Sequence, residues 1–208
     1  MTPILYSFRR CPYAMRARLA VQSAGIKVEL REILLRDKAP EFLEKSPSAT
    51  VPCLVLEDGV LDESLEIMIW ALQANDPESW LDMPEEGFEL IDGADGPFKA
   101  AVDHYKYASR YEDVDAMEER SVAAEFLADL DQRLKGSSFL FGSTPSLADF
   151  AILPFVRQFA HVDLDWFLAE PWPDLARWLE DFKSSDAFRA IMKKYPKWEN
   201  GDPVTYFN

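Results

Sequence analysis

The chain has 208 residues, 48% of them hydrophobic, enough to bury one large core or two smaller ones. Its formal net charge of −15 argues against nucleic acids and anionic membranes as partners, because their phosphates would be repelled. Two cysteines and two histidines, His104 and His161, supply neither a disulfide framework nor a metal-ligand cluster at zinc-like spacing, so no metal is expected.

The start of the chain lacks the charged and apolar regions of a signal peptide, and Arg9-Arg10 is not followed by the apolar run of an export signal. No stretch reaches the length of a membrane span, and a reducing cytoplasm is the expected location.

In chain order, Ile4-Leu5-Tyr6 reads as a buried strand. Phe8-Arg9-Arg10-Cys11-Pro12-Tyr13-Ala14 then leads into a helix from Pro12 to Ala24, with Gly25 as its stop. Proline suits the first helical position, since its fixed φ is helical and its missing N–H would be unpaired there. Cys11 is thereby expected at the helix N-terminus, facing free N–H groups and the positive end of the dipole. Arg9, Arg10, Arg16, Arg18 and Lys27 all precede the first acid, Glu29, so an anionic sulfur would sit in a basic pocket of an acidic protein. Both features favour the reactive thiolate.

Val28 to Ile33 alternates with period two, as a strand does. Pro40 to Lys45 suits a short helix. Cys53 to Leu56 reads as a third strand, Glu57-Asp58-Gly59 as a hairpin turn, and Val60-Leu61 as the start of a fourth. Ser64 to Ala74 reads as an apolar helix. The order βαβαββα predicts a mixed four-stranded sheet covered by helices.

Residues 78–97 hold seven acids, no Lys or Arg, two prolines and three glycines, and read as a linker. Trp80, Leu81, Phe88, Leu90 and Ile91 suggest that parts of it dock. Helical signals dominate residues 98–208. Phe98 to Tyr111 is one helix. Ala123, Phe126, Leu127, Leu130 and Leu134 stripe the next, with Gly136 as its stop. Ser146-Leu147-Ala148-Asp149 has capping-box spacing before an apolar run, Phe150 to Val156, that Pro154 is expected to kink. A helix from Pro173, another from about Asp186 to Lys194, and a tail with Tyr195, Trp198, Tyr206 and Phe207 complete the chain.

Three segments carry a resemblance. Cys-Pro-Tyr-Ala after the first strand resembles the active-site turn of glutaredoxins, with Ala14 in place of the second cysteine. Thr50-Val51-Pro52 before a strand resembles the cis-proline loop of the thioredoxin fold, and Asp62-Glu63-Ser64 before a helix resembles the γ-glutamyl site of glutathione transferases. Their order, followed by a helical second half with a Ser-x-x-Asp capping box, resembles the cytosolic glutathione transferases, and the cysteine resembles their omega, lambda and beta-like branches.

The resemblance implies an α/β thioredoxin-like domain over 1–77 that binds glutathione. An acidic linker over 78–97 and an all-helical domain over 98–208, forming the acceptor-substrate side, would follow. It implies Cys11 as the catalytic residue, Val51 pairing through its main chain with the cysteinyl unit, and Pro52 in the cis form. Ser64 and Glu63 would hold the γ-glutamyl end, Lys38 the glycyl carboxylate, and Tyr13 would pack beside the sulfur. Cys53 is expected in the core.

The activity implied is glutathione-dependent thiol transfer, as deglutathionylation or dehydroascorbate reduction, with a small-molecule or protein-thiol acceptor. Glutathione would serve as cosubstrate. A homodimer is compatible with the resemblance. Two other readings stay open here: conjugation of electrophilic small molecules, and a non-enzymatic regulator of the kind that binds RNA polymerase.

Overall fold

The computed structural model describes residues 2–208, which divide into two compact units: the chain up to Leu81 together with Ser185–Asn208, and Asp82–Ser184. The first unit is built on β1 (Ile4–Ser7), α1 (Pro12–Ser23), β2 (Val28–Glu32), α2 (Pro40–Lys45), β3 (Cys53–Val55), β4 (Val60–Leu61) and α3 (Ser64–Ala74). This is the expected βαβαββα order, a thioredoxin-like arrangement. β1 and β2 run parallel, joined by α1, while β3 is antiparallel to both β1 and β4.

Pro12 occupies the first helical position of α1. At the other end, Gly25 takes φ +64°, and the N–H groups of Gly25 and Ile26 return to the carbonyls of Gln22 and Val21 at 3.0 and 3.1 Å. Those two bonds satisfy carbonyls that the helix end would leave unpaired. Ile67, Met68, Ala71 and Leu72 of α3 are fully or almost fully buried where α3 packs on α1. Each of the larger side chains contributes about 1.5–3 kcal/mol by leaving water.

The sheet has five strands rather than four. Tyr206–Phe207 forms β5, which adds antiparallel to β2 and gives the order β4-β3-β1-β2-β5. Leu30 donates to the Thr205 carbonyl at 2.8 Å, and Trp198 donates to the Glu32 carbonyl at 2.9 Å. The tail therefore occupies an edge of β2 that would otherwise expose unpaired backbone groups. A two-residue strand carries no periodicity, so no sequence pattern announces it. For the same reason Ser185–Asn208, including α10 (Asp186–Ile191), belongs to the first unit and not to the helical one.

The second unit also departs from the linker expectation. Asp76 accepts from the N–H groups of Trp80 and Leu81 at 2.9 Å, which seats buried Trp80 in the first unit. α4 (Glu86–Gly93) follows, with Leu90 and Ile91 buried and Phe88 exposed, and a π-helical turn over Ala94–Phe98 accommodates Pro97. Acidic composition hid an amphipathic helix whose charges face water.

α5 (Lys99–Lys106), α6 (Ala116–Leu134), α7 (Leu147–Ala160), α8 (Leu164–Ala169) and α9 (Pro173–Ser184) complete the unit. α5 is shorter than expected, giving way to a 3₁₀ turn at Ala108–Arg110. Pro154 lies inside α7 without ending it.

Asp149 is fully buried at the start of α7. It accepts from the N–H groups of Leu140 and Ser146 at 2.9 and 2.8 Å, from the Ser146 hydroxyl at 2.7 Å, and from Trp178 Nε1 at 3.1 Å. Burial pushes its carboxyl up, and these donors pull it back. Among the described residues, no helix is long and apolar enough to cross a membrane.

Candidate functional site

All the singled-out site residues line one cleft of about 430 Å³ in the first unit: Cys11, Tyr13, Lys38, Val51, Pro52, Glu63 and Ser64. Leu35, Ala49, Thr50 and Asp62 complete its wall. The volume is within the usual range for a small-ligand site.

Cys11 is the N-cap of α1, with extended backbone angles (φ −73°, ψ 123°). Its N–H donates to the Phe8 carbonyl at 3.0 Å and its carbonyl accepts from Met15 at 2.9 Å, so the turn is held from both sides. The half-buried thiol lies 3.6 Å from the Val51 carbonyl. The Val51–Pro52 bond is cis, as the Thr-Val-Pro loop implied. The loop before it is tied by Ser48, whose N–H donates to Asp62 at 3.0 Å and whose hydroxyl meets that of Thr50 at 2.7 Å.

Opposite Cys11, Glu63 is the N-cap of α3 and Ser64 its first residue. The Ser64 hydroxyl accepts from Nε of Arg16 at 3.0 Å. Arg16 is 2% exposed, and its guanidinium lies over the Tyr13 ring at 5.3 Å. Reading the sequence counted Arg16 only as a local charge. Its position as the support behind Ser64 arises where α1 packs on α3, and no spacing in the chain signals that. Lys38 donates to the Ala49 carbonyl at 2.9 Å on the rim of the cleft, with further N–H groups left on the same amine.

Two other groups steady the turn. Arg9 donates its N–H to Glu32 at 2.7 Å, and its carbonyl accepts from Arg18 at 2.8 Å. Arg18 is fully buried, and burial lowers its pKa to about 10 against the opposing pull of Glu32 and the Cys11 sulfur.

Cys53 lies apart from this chemistry. It is fully buried with Tyr6 and Phe42, and burial pushes its thiol up to about 11. Alkylation of the folded protein near neutral pH is therefore expected to mark Cys11 first, by peptide mass mapping. Preferential labelling of Cys53 would overturn that order.

Tyr105 is buried against Phe159 in the second unit, and Arg120 covers Trp166 at 4.2 Å. His104 pairs with Glu119 at 3.2 Å and His161 caps α7, so neither lies in the cleft.

A thioredoxin-like sheet with a cysteine at the first turn and a cis-proline beside it, in a chain that continues into a helical unit, defines a class of two-domain thiol proteins. Residues 5–80 match the family model "Glutathione S-transferase, N-terminal domain", and residues 108–181 match "Glutathione S-transferase, C-terminal domain". The chain belongs to the glutathione transferase family, and the residue at its first turn is a cysteine. It is 29% identical to glutathione S-transferase omega-1 of Rattus norvegicus over 185 residues, covering 84% of this chain and 74% of that protein.

Among solved structures, it is similar to glutathione transferase Omega 3C from Trametes versicolor, with a TM-score of 0.76 at 18% identity over 94% of this chain and 91% of that one. It is also similar to a glutathione transferase family member from Pseudomonas fluorescens pf-5 with two glutathione bound. There the TM-score is 0.78 at 21% identity, over 92% of each chain.

Proposed function

We propose that this chain is a glutathione-dependent thiol transferase that works through a mixed disulfide between Cys11 and glutathione. The observation that carries the reading is the half-buried Cys11 thiol at the start of α1, open to the same cleft as Val51, Glu63 and Ser64. Glutathione is an anionic tripeptide, so it needs backbone pairing in its middle and charge recognition at both ends.

Val51 supplies the pairing, as an added strand would. Its N–H donates to no other backbone group among the described residues. The hydroxyl of Ser64 and the free N–H groups at the start of α3 take the γ-glutamyl carboxylate. Glu63 accepts from the γ-glutamyl ammonium, Lys38 meets the glycyl carboxylate, and Tyr13 packs beside the sulfur.

In the first step, the Cys11 thiolate attacks the glutathione sulfur of a mixed disulfide. The new S–S bond forms as the old one breaks, and its electron pair leaves on the released thiolate, which takes a proton from water. A second glutathione thiolate then attacks the Cys11 disulfide, giving oxidised glutathione and free Cys11. Ala14 provides no internal thiol, so this resolving sulfur comes from solution. That requirement suits a reducing cytoplasm.

Incubation with oxidised glutathione, followed by intact mass measurement, tests the reading. One glutathionyl group on Cys11 is expected, and an unmodified chain would sink it. A second test separates binding from folding. Ser64→Ala should weaken glutathione binding by about 1.5–3 kcal/mol, the loss of a hydrogen bond to a charged group. It also strips Arg16 of an acceptor, so thermal melting is measured beside affinity. A variant that melts earlier yet binds glutathione as wild type does would leave Ser64 only a structural role.

A further inference from the structure

The turn that carries Cys11 borders a second cavity, of about 270 Å³, within the first unit. Phe8, Leu34 and Tyr195 give it apolar walls, and Arg9, Arg10, Lys194 and Lys197 surround them. Its cations are not equally engaged. Arg9 donates to the Met192 carbonyl at 3.4 Å, and Lys197 is paired with Asp37 and Glu199 at 2.5 and 3.4 Å. Arg10 lies over the Phe8 ring at 5.4 Å, and neither it nor Lys194 has a carboxylate partner among the described residues.

Glu32 is the acid on this wall, and it is already committed. It accepts from the Arg9 N–H at 2.7 Å and faces Arg18 at 3.9 Å, while burial pushes its carboxyl up. In a protein of net charge −15, two cations without a carboxylate partner on the wall of this partly apolar cavity leave a local site for an anion.

The cavity and the cleft use successive residues of the same two loops. Phe8, Arg9 and Arg10 line the cavity, and Cys11 and Tyr13 the cleft. In the second loop, Ile33 and Leu34 line the cavity, and Leu35 and Lys38 the cleft. A disulfide attacked at Cys11 has two halves, and the thiol-transfer reading places one of them in the cleft.

We propose that the second cavity receives the leaving half of the disulfide and selects thiols that carry a carboxylate on a short apolar stem. This rests on the thiol-transfer reading and names its acceptor chemistry. With the glutathione half in the cleft, the Cys11 thiolate bonds to the glutathione sulfur and the S–S bond to the other half breaks. The electron pair departs on that half's sulfur, which is protonated by water. Arg10 and Lys194 hold its carboxylate meanwhile.

The test uses glutathione mixed disulfides of mercaptopropionate, mercaptoethanol and cysteamine: an anion, a neutral thiol and a cation. Each kcat/KM is divided by the rate of the same disulfide with glutathione alone, which removes intrinsic leaving-group differences. Wild type is expected to prefer the anion, then the neutral thiol, then the cation, with the preference shrinking as salt screens it.

The anion-to-neutral ratio should fall about tenfold in Arg10→Gln/Lys194→Gln, as two partly exposed charge contacts are lost. Lys194→Glu should favour cysteamine. Because each result is a ratio within one variant, changes in Cys11 reactivity or in folding cancel. Equal rates for the three disulfides, or ratios unmoved by the substitutions, overturn the inference while leaving thiol transfer intact. No transfer from any of them overturns the thiol-transfer reading, and this inference with it.

Discussion

Cys11→Ser is expected to lower thiol-transfer and dehydroascorbate-reducing activity by about a thousandfold or more, while glutathione still binds. In the proposed mechanism the sulfur is indispensable in kind, because a serine oxygen cannot form the S–S bond on which that reaction turns. The Val51 carbonyl, 3.6 Å from the sulfur, accepts a hydrogen bond but cannot take up a proton from a serine there.

The glutathione contacts proposed for Val51, Glu63 and Ser64 do not pass through the thiol, so affinity is the control. The same hydroxyl is placed to donate to a bound glutathione sulfur, and conjugation of electrophiles is expected to appear or rise. The measurement is a pair of assays on wild type and variant. Full thiol transfer by the variant removes Cys11 from the mechanism. Strong conjugation by wild type with no thiol transfer makes it a conjugating transferase.

Asp149→Ala should have the largest effect on stability, about 3–5 kcal/mol, seen as an early melting transition of the helical unit. The carboxylate answers four donors from three places: Leu140, both donors of Ser146, and Trp178 of α9. Deleting it strands them where water does not reach, at about 1–3 kcal/mol per buried unsatisfied group before relaxation. Asp149→Asn keeps one acceptor oxygen in the same volume and should recover part of the loss. An Ala variant that melts within a degree or two of wild type would show that the box is dispensable. Glutathione binding by the first unit, assayed below the new transition, should persist.

The lining of the candidate cleft was largely legible in the chain because its parts are local. Cys11-Pro12 starts a helix through the fixed φ of proline, Val51-Pro52 precedes β3, and Glu63-Ser64 starts α3. Each is a short-range signal that needs no neighbour to be read. The same holds for Gly25, whose positive φ closes α1, and for Ser146 and Asp149, three residues apart, which meet across one helical turn.

Tertiary structure decided what depends on residues far apart. Arg16 became the support for Ser64 only when α1 packed on α3, and Arg18 and Glu32 came to hold the Arg9 backbone across the sheet. Tyr206 and Phe207 became a fifth strand because β2 had an open edge, which a two-residue segment cannot advertise by pattern. The acidic stretch read as a linker became α4 because Leu90 and Ile91 found a core, whereas composition reports only the side that faces water. Sequence by itself determined the local turns, caps and helix starts, where a few dihedral angles and adjacent hydrogen bonds set the outcome. Only the folded chain decided which buried charges stand behind them, because burial and long-range pairing are properties of the packed whole.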